Sequence, residues 1–183
     1  MVESRIPQDA SPLIVTALMG PREFAWLDGL RRANFPPERN VLRAHLTMFH
    51  HLPPSVLREV RDLLRELTRE PAPRATLASV MSLGGGTAFA IASDELASIR
   101  AEIAARFAPL LMPQDKAGWR AHVTVQNKVP AAEARALRAV LQAGFVAQPF
   151  GIAGLAVWHY RGGPWQSAGA WRFGSGHAME PPG

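Results

Sequence analysis

The stretch RAHLTMFHHLP at residues 43–53 decides how the rest of the chain is interpreted, because residues 120–130 read RAHVTVQNKVP. Both stretches begin Arg-Ala-His, continue with an apolar residue and a threonine, and reach a proline eight residues after the histidine. The second histidine follows the first by 77 residues. A match this long at corresponding places in the two halves predicts a duplicated supersecondary unit.

The patterns around the two stretches also repeat. Short runs of apolar and β-branched residues predict strands at 13–18, 76–83 and 87–92, and the two His-x-Thr stretches read as strands. Apolar residues at helical spacing predict a helix after Gly20, one from Ser55, one from Ser93 and one over 131–143. The last part of the chain predicts two strands joined by a Gly-rich turn at 161–164. Each half therefore has the order strand, helix, His-x-Thr strand, proline, helix, hairpin.

Composition limits the function classes. The 183 residues are 48% hydrophobic and 19% charged, which fits one globular domain, and no apolar run is long enough to cross a membrane. Cysteine is absent, so disulfides and thiol chemistry are excluded, and a cytoplasmic location is expected. The net charge of +5 comes almost entirely from arginine. This favours an anionic ligand, although genomic base composition would also produce many arginines.

Alternate residues of a strand face the same side, so His45 lies beside Thr47 and His122 lies beside Thr124. Two such strands, expected to be neighbouring central strands, would bring two imidazoles and two hydroxyls to one cleft. Histidine transfers protons near neutral pH, and threonine donates a hydrogen bond to a phosphoryl oxygen. These four side chains are the predicted catalytic residues. A single His-x-Thr pair would be weak evidence, but core packing does not require the pair twice.

These motifs resemble those of the 2H phosphoesterases, and most closely the branch of bacterial RNA 2',3'-cyclic phosphodiesterases and 2'-5' RNA ligases. The resemblance rests on the two His-x-Thr motifs, their strand-proline-helix context and the opening strand LIVTAL, and it extends from Pro12 to Phe173. It implies an α+β, bilobal duplicated fold, with two mainly antiparallel sheets and flanking helices around a central cleft. The chain would form one domain over 1–183, with loose termini at 1–11 and 174–183.

The resemblance also implies an activity. Members hydrolyse cyclic or 2'-5' phosphodiesters without a metal, and some run ligation as the reverse reaction. By this resemblance His122 is the base, His45 is the acid, and the product is a 2'-phosphate. The expected substrates are RNA ends or small cyclic nucleotides such as an ADP-ribose cyclic phosphate. A non-catalytic module that binds RNA or nucleotides is the alternative from another class.

Six further residues are candidates for substrate binding: Arg43, Arg120, Lys128, Tyr160, Arg161 and Phe49. The two arginines precede each histidine by two residues, and Lys128 would share the face of His122 if its strand continued. Phe49 could stack on a base or belong to the core. Tyr160 and Arg161 end a strand that borders the cleft in the family. Each of the six has the alternative of an ordinary structural or solvated position.

Neither a metal nor another cofactor is expected. His50 and His51 are adjacent, so in a regular strand they point to opposite faces and cannot form a metal pair by themselves. The resemblance gives these two histidines no role. The five tryptophans are too dispersed along the sequence to indicate a stacking surface, although Trp119 is a candidate for the rim of the cleft. A monomer is expected, because the two lobes already bury each other.

Overall fold

The computed structural model of the protein describes residues 10–182. Its strands are β1 (Leu13–Met19), β2 (Leu46–Leu52), β3 (Thr76–Ser82), β4 (Thr87–Ala92), β5 (His122–Gln126), β6 (Gln148–Pro149), β7 (Ile152–His159) and β8 (Gln166–Arg172). Its α-helices are α1 (Pro21–Asn34), α2 (Leu57–Leu67), α3 (Asp94–Arg106), α4 (Pro113–Lys116) and α5 (Ala131–Ala143).

The strands form two four-stranded antiparallel sheets, in the orders β2-β1-β7-β8 and β5-β4-β3-β6. The predicted α+β class and the two antiparallel sheets are confirmed. The predicted position of the motifs is wrong, because β2 and β5 are edge strands of different sheets rather than neighbouring central strands. These two edge strands pack against each other where the sheets meet.

The duplication is visible in the connectivity. The order strand, helix, His-x-Thr strand, helix occurs once as β1-α1-β2-α2 and again as β4-α3-β5-α5. Strands that come after each unit join the sheet of the other unit: β3, after the first, pairs with β4, and β7, which comes after the short β6, pairs with β1. Each sheet therefore contains strands from both halves of the chain.

Local sequence explains the main elements. All of β1 is buried, which suits a central strand covered on both faces. Helix α2 buries Val60, Leu64 and Leu67 at helical spacing and packs on β7 and β8. The hydroxyl of Ser93 accepts a hydrogen bond from the backbone N–H of Leu96 at 3.0 Å and so caps α3. Gly84 has a φ of +77°, which the β3–β4 hairpin requires and other residues rarely adopt.

Both motif strands contain a β-bulge at the same place. In β2, Thr47 pairs with Thr16 but Phe49 pairs with Val15, so Met48 is an extra residue. In β5, the register shifts in the same way directly after Thr124, which makes Val125 the extra residue. A bulge reverses the alternation of faces along a strand. The positions after each threonine therefore no longer follow the pattern that the sequence predicts.

The C-terminal segment is ordered, so the prediction of a loose end is wrong for residues 174–182. Backbone hydrogen bonds join Arg172 to His177 and Met179 to Ala170, and the N–H of Gly176 donates to the carbonyl of Thr68 at 3.1 Å. The segment folds back along the edge of β8 because its backbone groups complete hydrogen bonds there. Most of the predicted loose stretch 1–11, and Gly183, lie outside the described residues.

Candidate active site

Both motif histidines are held in the same way. The Nδ1 atom of His45 lies 2.7 Å from the carbonyl oxygen of Arg43, and Nδ1 of His122 lies 2.8 Å from the carbonyl oxygen of Arg120. A carbonyl can only accept, so Nδ1 carries the proton in each bond and Nε2 is the nitrogen left to exchange protons. Each partly buried imidazole is therefore oriented, with its tautomer fixed, by the residue two positions earlier.

The carbonyl of each motif threonine is bound from the opposite half of the molecule. The indole Nε1–H of Trp119 donates to the carbonyl of Thr47 at 3.0 Å, and Nη1 of Arg31 donates to the carbonyl of Thr124 at 3.0 Å. Arg100 adds a bond from Nε to the carbonyl of Met48 at 2.9 Å. These side chains come from one repeat and hold the bulged edge strand of the other. Both threonine side chains are partly buried and so remain accessible beside the histidines.

Helix α1 supports the first motif with two charged side chains one turn apart. Asp28 accepts hydrogen bonds from the backbone N–H of Ala44 at 2.9 Å and from Nε of Arg43 at 2.8 Å. Arg31 donates from Nε to the carbonyl of Leu42 at 2.9 Å. Burial lowers the pKa of Arg31 to about 10, a shift that Asp28 opposes, so the guanidinium stays charged at neutral pH. The segment before His45 is thus fixed at three successive residues.

Asp28, Arg31 and Arg100 are not among the residues that the sequence predicts to be functional. Asp28 and Arg31 lie beside Leu27 on the buried face of α1. Because burying an unpaired charge is costly, two charged residues on such a face indicate that each has a partner elsewhere in the fold. Trp119 is partly buried and donates to the carbonyl of Thr47, and its place at the rim of the cleft stays a prediction.

The environment of His45 sets its protonation. Burial is the largest cause that lowers the pKa of His45 to about 4; the bond to the Arg43 carbonyl opposes this shift, and the charges of Arg31, His122 and His50 add to it. The indole of Trp165 covers the imidazole at a ring separation of 4.7 Å. His45 is therefore neutral in the free protein near neutral pH. A neutral imidazole can accept a proton but has none to donate from Nε2, whereas the family resemblance implies that His45 is the acid; the division of roles between the two histidines stays a prediction.

The two motifs meet at one place, since the charge of His122 acts on His45 and β2 packs against β5. An apolar pocket of about 140 Å³ opens next to His45, with Trp158 and Trp165 among its walls. The rings of these tryptophans lie 6.2 Å apart, so the hairpin β7–β8 brings together two aromatic residues that are separated in the sequence.

The arginines that precede the histidines differ. Arg43 is half-exposed, pairs with Asp28 and lies over the ring of Phe24 at 5.2 Å. Its side chain therefore supports the backbone before His45, and phosphate binding by Arg43 remains a prediction. Arg120 is exposed, and its carbonyl orients His122. Its guanidinium likewise remains only a predicted phosphate ligand.

Two of the predicted substrate-binding residues are placed elsewhere. Phe49 is fully buried in the core with Arg100 over its ring at 4.7 Å, so base stacking by Phe49 is wrong; the bulge at Met48 turns it away from the face of Thr47. Lys128 follows the end of β5, with a φ of +63°, and lines a groove that contains neither motif histidine. The predicted face shared by Lys128 and His122 does not form, because the strand ends at Gln126.

Tyr160 and Arg161 begin the loop that joins β7 to β8, directly after His159. Both are exposed, and the same loop carries Trp165, which contacts His45. A role for Tyr160 and Arg161 in substrate binding stays a prediction.

His50 and His51 have a structural explanation. The buried carboxylate of Asp115 accepts hydrogen bonds from the backbone N–H groups of both residues at 2.9 to 3.0 Å and from Nδ1 of His50 at 3.0 Å. A regular strand does not direct two successive N–H groups to one acceptor, but the second register shift of β2, between Phe49 and Leu52, permits it. Asp115 thereby anchors the segment that leads to the second motif.

Residues 10–182 contain neither a cluster of metal ligands nor a membrane-spanning helix. Within this range no three histidine or acidic side chains cluster as ligands for a metal ion. None of the helices described there is long and apolar enough to span a membrane.

The family described as the 2'-5' RNA ligase superfamily matches residues 20–164. No curated protein matches the sequence.

Similar solved structures include TT0787 of Thermus thermophilus, with a TM-score of 0.60, 15% identity, and coverage of 91% of this chain and 100% of that one. Another is a structure described as a phosphoesterase, with a TM-score of 0.56, 12% identity, and coverage of 90% and 99%. A third is E. coli LigT in complex with 3'-AMP, with a TM-score of 0.55, 14% identity, and coverage of 90% and 99%. At these identities the structures establish the fold.

Proposed function

Because the chain belongs to the 2'-5' RNA ligase superfamily of 2H phosphoesterases, we propose that it hydrolyses 2',3'-cyclic phosphates to 2'-phosphomonoesters by acid and base catalysis without a metal. The observation that carries this proposal is the pair of imidazoles, His45 and His122, each fixed through Nδ1 by a backbone carbonyl. A binding site for a phosphate needs no matched pair of proton-transferring groups, whereas hydrolysis of a phosphodiester does. This favours an enzyme over a non-catalytic binding module.

The proposed reaction uses one proton transfer on each side of phosphorus. Nε2 of neutral His45 takes a proton from water as the water oxygen attacks phosphorus. The P–O3' bond breaks, and Nε2–H of protonated His122 gives its proton to O3'. The products are a 2'-phosphate and a 3'-hydroxyl, and the two imidazoles return to their starting states by exchange with solvent. Thr47 and Thr124 donate hydrogen bonds to the phosphoryl oxygens as charge develops on them.

The same site would also support ligation. If the 5'-hydroxyl of a second RNA replaces water, the same two proton transfers form a 2'-5' phosphodiester. Microscopic reversibility then allows the enzyme to cleave such a linkage. Because the sequence contains no cysteine, we propose that the enzyme works in the cytoplasm, and we expect a monomer.

The test is hydrolysis of a nucleoside 2',3'-cyclic phosphate with excess EDTA, measured from about pH 3.5 to 9. Activity should survive the chelator, because no step uses a metal. The rate constant kcat/KM should rise through about pH 4 as His45 loses its proton, and fall at higher pH as the acid deprotonates. The matched control is His51→Ala, since the side chain of this exposed histidine lies outside the proposed mechanism. Loss of activity with EDTA and its return with added metal would refute the mechanism.

A further inference from the structure

Three cavities lie next to one another and share lining residues, and the first of them is beside His45 of the candidate catalytic site. The pocket beside His45 shares Trp158 and Trp165 with a second groove of about 540 Å³. That second groove extends to Arg61 and Arg65, which also line a third groove of about 460 Å³. A ligand longer than one nucleotide could therefore leave the site along a single path toward helix α2.

The far end of this series of cavities is basic. Arg58, Arg61 and Arg65 are exposed and project from α2 at helical spacing, so they extend over about 10 Å at 1.5 Å per residue. Among residues 10–182, no carboxylate lies within ion-pair distance of any of the three, Asp62 included. The acidic side chains that line the two grooves are Asp62 and Glu180. Three guanidinium groups against two carboxylates leave the path positive.

The near end is aromatic. Trp165 lies against His45, and Trp158 lies 6.2 Å from Trp165. A hydrogen bond of 2.8 Å from Nε1 of Trp158 to the hydroxyl of Thr16 fixes one of the two rings. Sites for single-stranded nucleic acid combine aromatic rings, on which bases stack, with a positively charged groove that follows the phosphates. Both components, the aromatic rings and the positive charges, occur here one after the other along the same path.

We propose that this path, from Trp165 and Trp158 to the arginines of α2, binds the single-stranded RNA that precedes the cyclic phosphate. A 2',3'-cyclic phosphate is the 3' end of an RNA, so the remaining nucleotides extend from the site on their 5' side. The inference rests on the proposed function and assigns residues of this chain to the part of an RNA end that lies outside the catalytic site. A mononucleotide would fill only the pocket beside His45 and leave the guanidinium groups of α2 without a phosphate.

The duplicated fold supplies a matched control. Helix α5 is the counterpart of α2 in the second repeat and carries Arg135 and Arg138. Neither of these residues lines the path. The double variants R61A/R65A and R135A/R138A therefore remove the same charge from equivalent helices, and a non-specific effect of net charge would be the same in both.

The experiment compares two substrates, a short oligoribonucleotide that ends in a 2',3'-cyclic phosphate and the corresponding mononucleotide. For R61A/R65A, the ratio of kcat/KM between oligonucleotide and mononucleotide should fall about tenfold, and log(kcat/KM) for the oligonucleotide should fall with log[salt] with a slope smaller in magnitude by about 1. R135A/R138A should keep the wild-type ratio of kcat/KM between the two substrates and the wild-type dependence of kcat/KM on salt. The proposal is overturned if the two double variants show the same ratio of kcat/KM between the two substrates. It is also overturned if the wild-type enzyme does not prefer the oligonucleotide.

A binding measurement separates failure of this inference from failure of the proposed function. Fluorescence anisotropy with a labelled oligoribonucleotide ending in a 2'-phosphate reports binding whether or not hydrolysis occurs. Weaker binding by R61A/R65A, but not by R135A/R138A, supports the path even if neither substrate is hydrolysed. If both substrates are hydrolysed but the two double variants bind this RNA as the wild type does, the path is refuted and the proposed function stands.

Discussion

The two His-x-Thr motifs share a scaffold and differ in their surroundings. In both, a carbonyl two residues earlier holds the imidazole, a bulge follows the threonine, and a side chain from the opposite repeat binds the threonine carbonyl. Only the first histidine, among the described residues, has an aromatic ring packed on it. Burial and neighbouring positive charge lower the pKa of His45 to about 4. Duplication thus supplies two equivalent groups, and their surroundings keep His45 neutral at neutral pH, the form in which an imidazole can accept a proton.

The largest expected effect is the loss of either histidine. His45→Ala and His122→Ala should each lower kcat for a cyclic nucleotide by about 10²- to 10⁴-fold, the usual contribution of a general acid or base. Circular dichroism should show an intact fold, because both imidazoles are only partly buried. If one of these variants keeps nearly full activity, the two motifs do not act as a pair.

The next effect concerns the side chains that join the repeats. Arg31→Met removes donors to the carbonyls of Leu42 and Thr124, and Arg100→Met removes donors to those of Met48 and Asp115. Each change should lower the free energy of unfolding by about 2–3 kcal/mol, because buried carbonyls lose their partners. Urea unfolding measures this loss, with Arg106→Met on the exposed end of α3 as the control. Equal stability of Arg31→Met and the control would show that the bonds across the repeats are not needed.

Removal of one motif hydroxyl should have a smaller effect on the rate. Thr47→Val and Thr124→Val should lower kcat/KM roughly 10- to 100-fold, as expected for one hydrogen bond to a charged phosphate. The exposed Thr76 in β3 provides the control, Thr76→Val. If only one of the two motif threonines matters, the phosphoryl group is held from one side and the symmetry of the site is limited to the histidines.

The smallest effect follows from the lowered pKa of His45. Since the unfolded chain binds a proton near pH 6.5 and the folded protein only near pH 4, stability should fall as the pH drops between these values. His45 is partly exposed, so we expect a loss of about 1 kcal/mol between pH 7 and pH 5 that His45→Gln abolishes. Urea unfolding at both pH values measures it, and His51→Gln should behave as the wild type. If His45→Gln loses as much stability between pH 7 and pH 5 as the wild type does, the lowered pKa of His45 is contradicted.

The sequence predicted the parts of this site that depend on alternation and repetition. His45, Thr47, His122 and Thr124, the two antiparallel sheets and the hairpins all follow from period-two patterns, turn residues and the repeat itself. It could not predict the bulge that buries Phe49 or the one that lets His50 and His51 share Asp115, because an extra residue in a strand leaves no local signal. Nor could it predict that Arg31 and Trp119 cross between repeats, since such contacts depend on how the two sheets meet.

The central claim is that the duplicated histidines have become a base, His45, and an acid, His122. The most direct test is a nucleoside 2',3'-cyclic phosphorothiolate with sulfur in place of O3', because a thiolate leaves without being protonated. On this substrate His122→Ala should return to within about tenfold of the wild-type rate, while His45→Ala should stay about 10²- to 10⁴-fold slower. Recovery of His45→Ala, with His122→Ala still slow, would contradict the account and restore the assignment that the family resemblance implies.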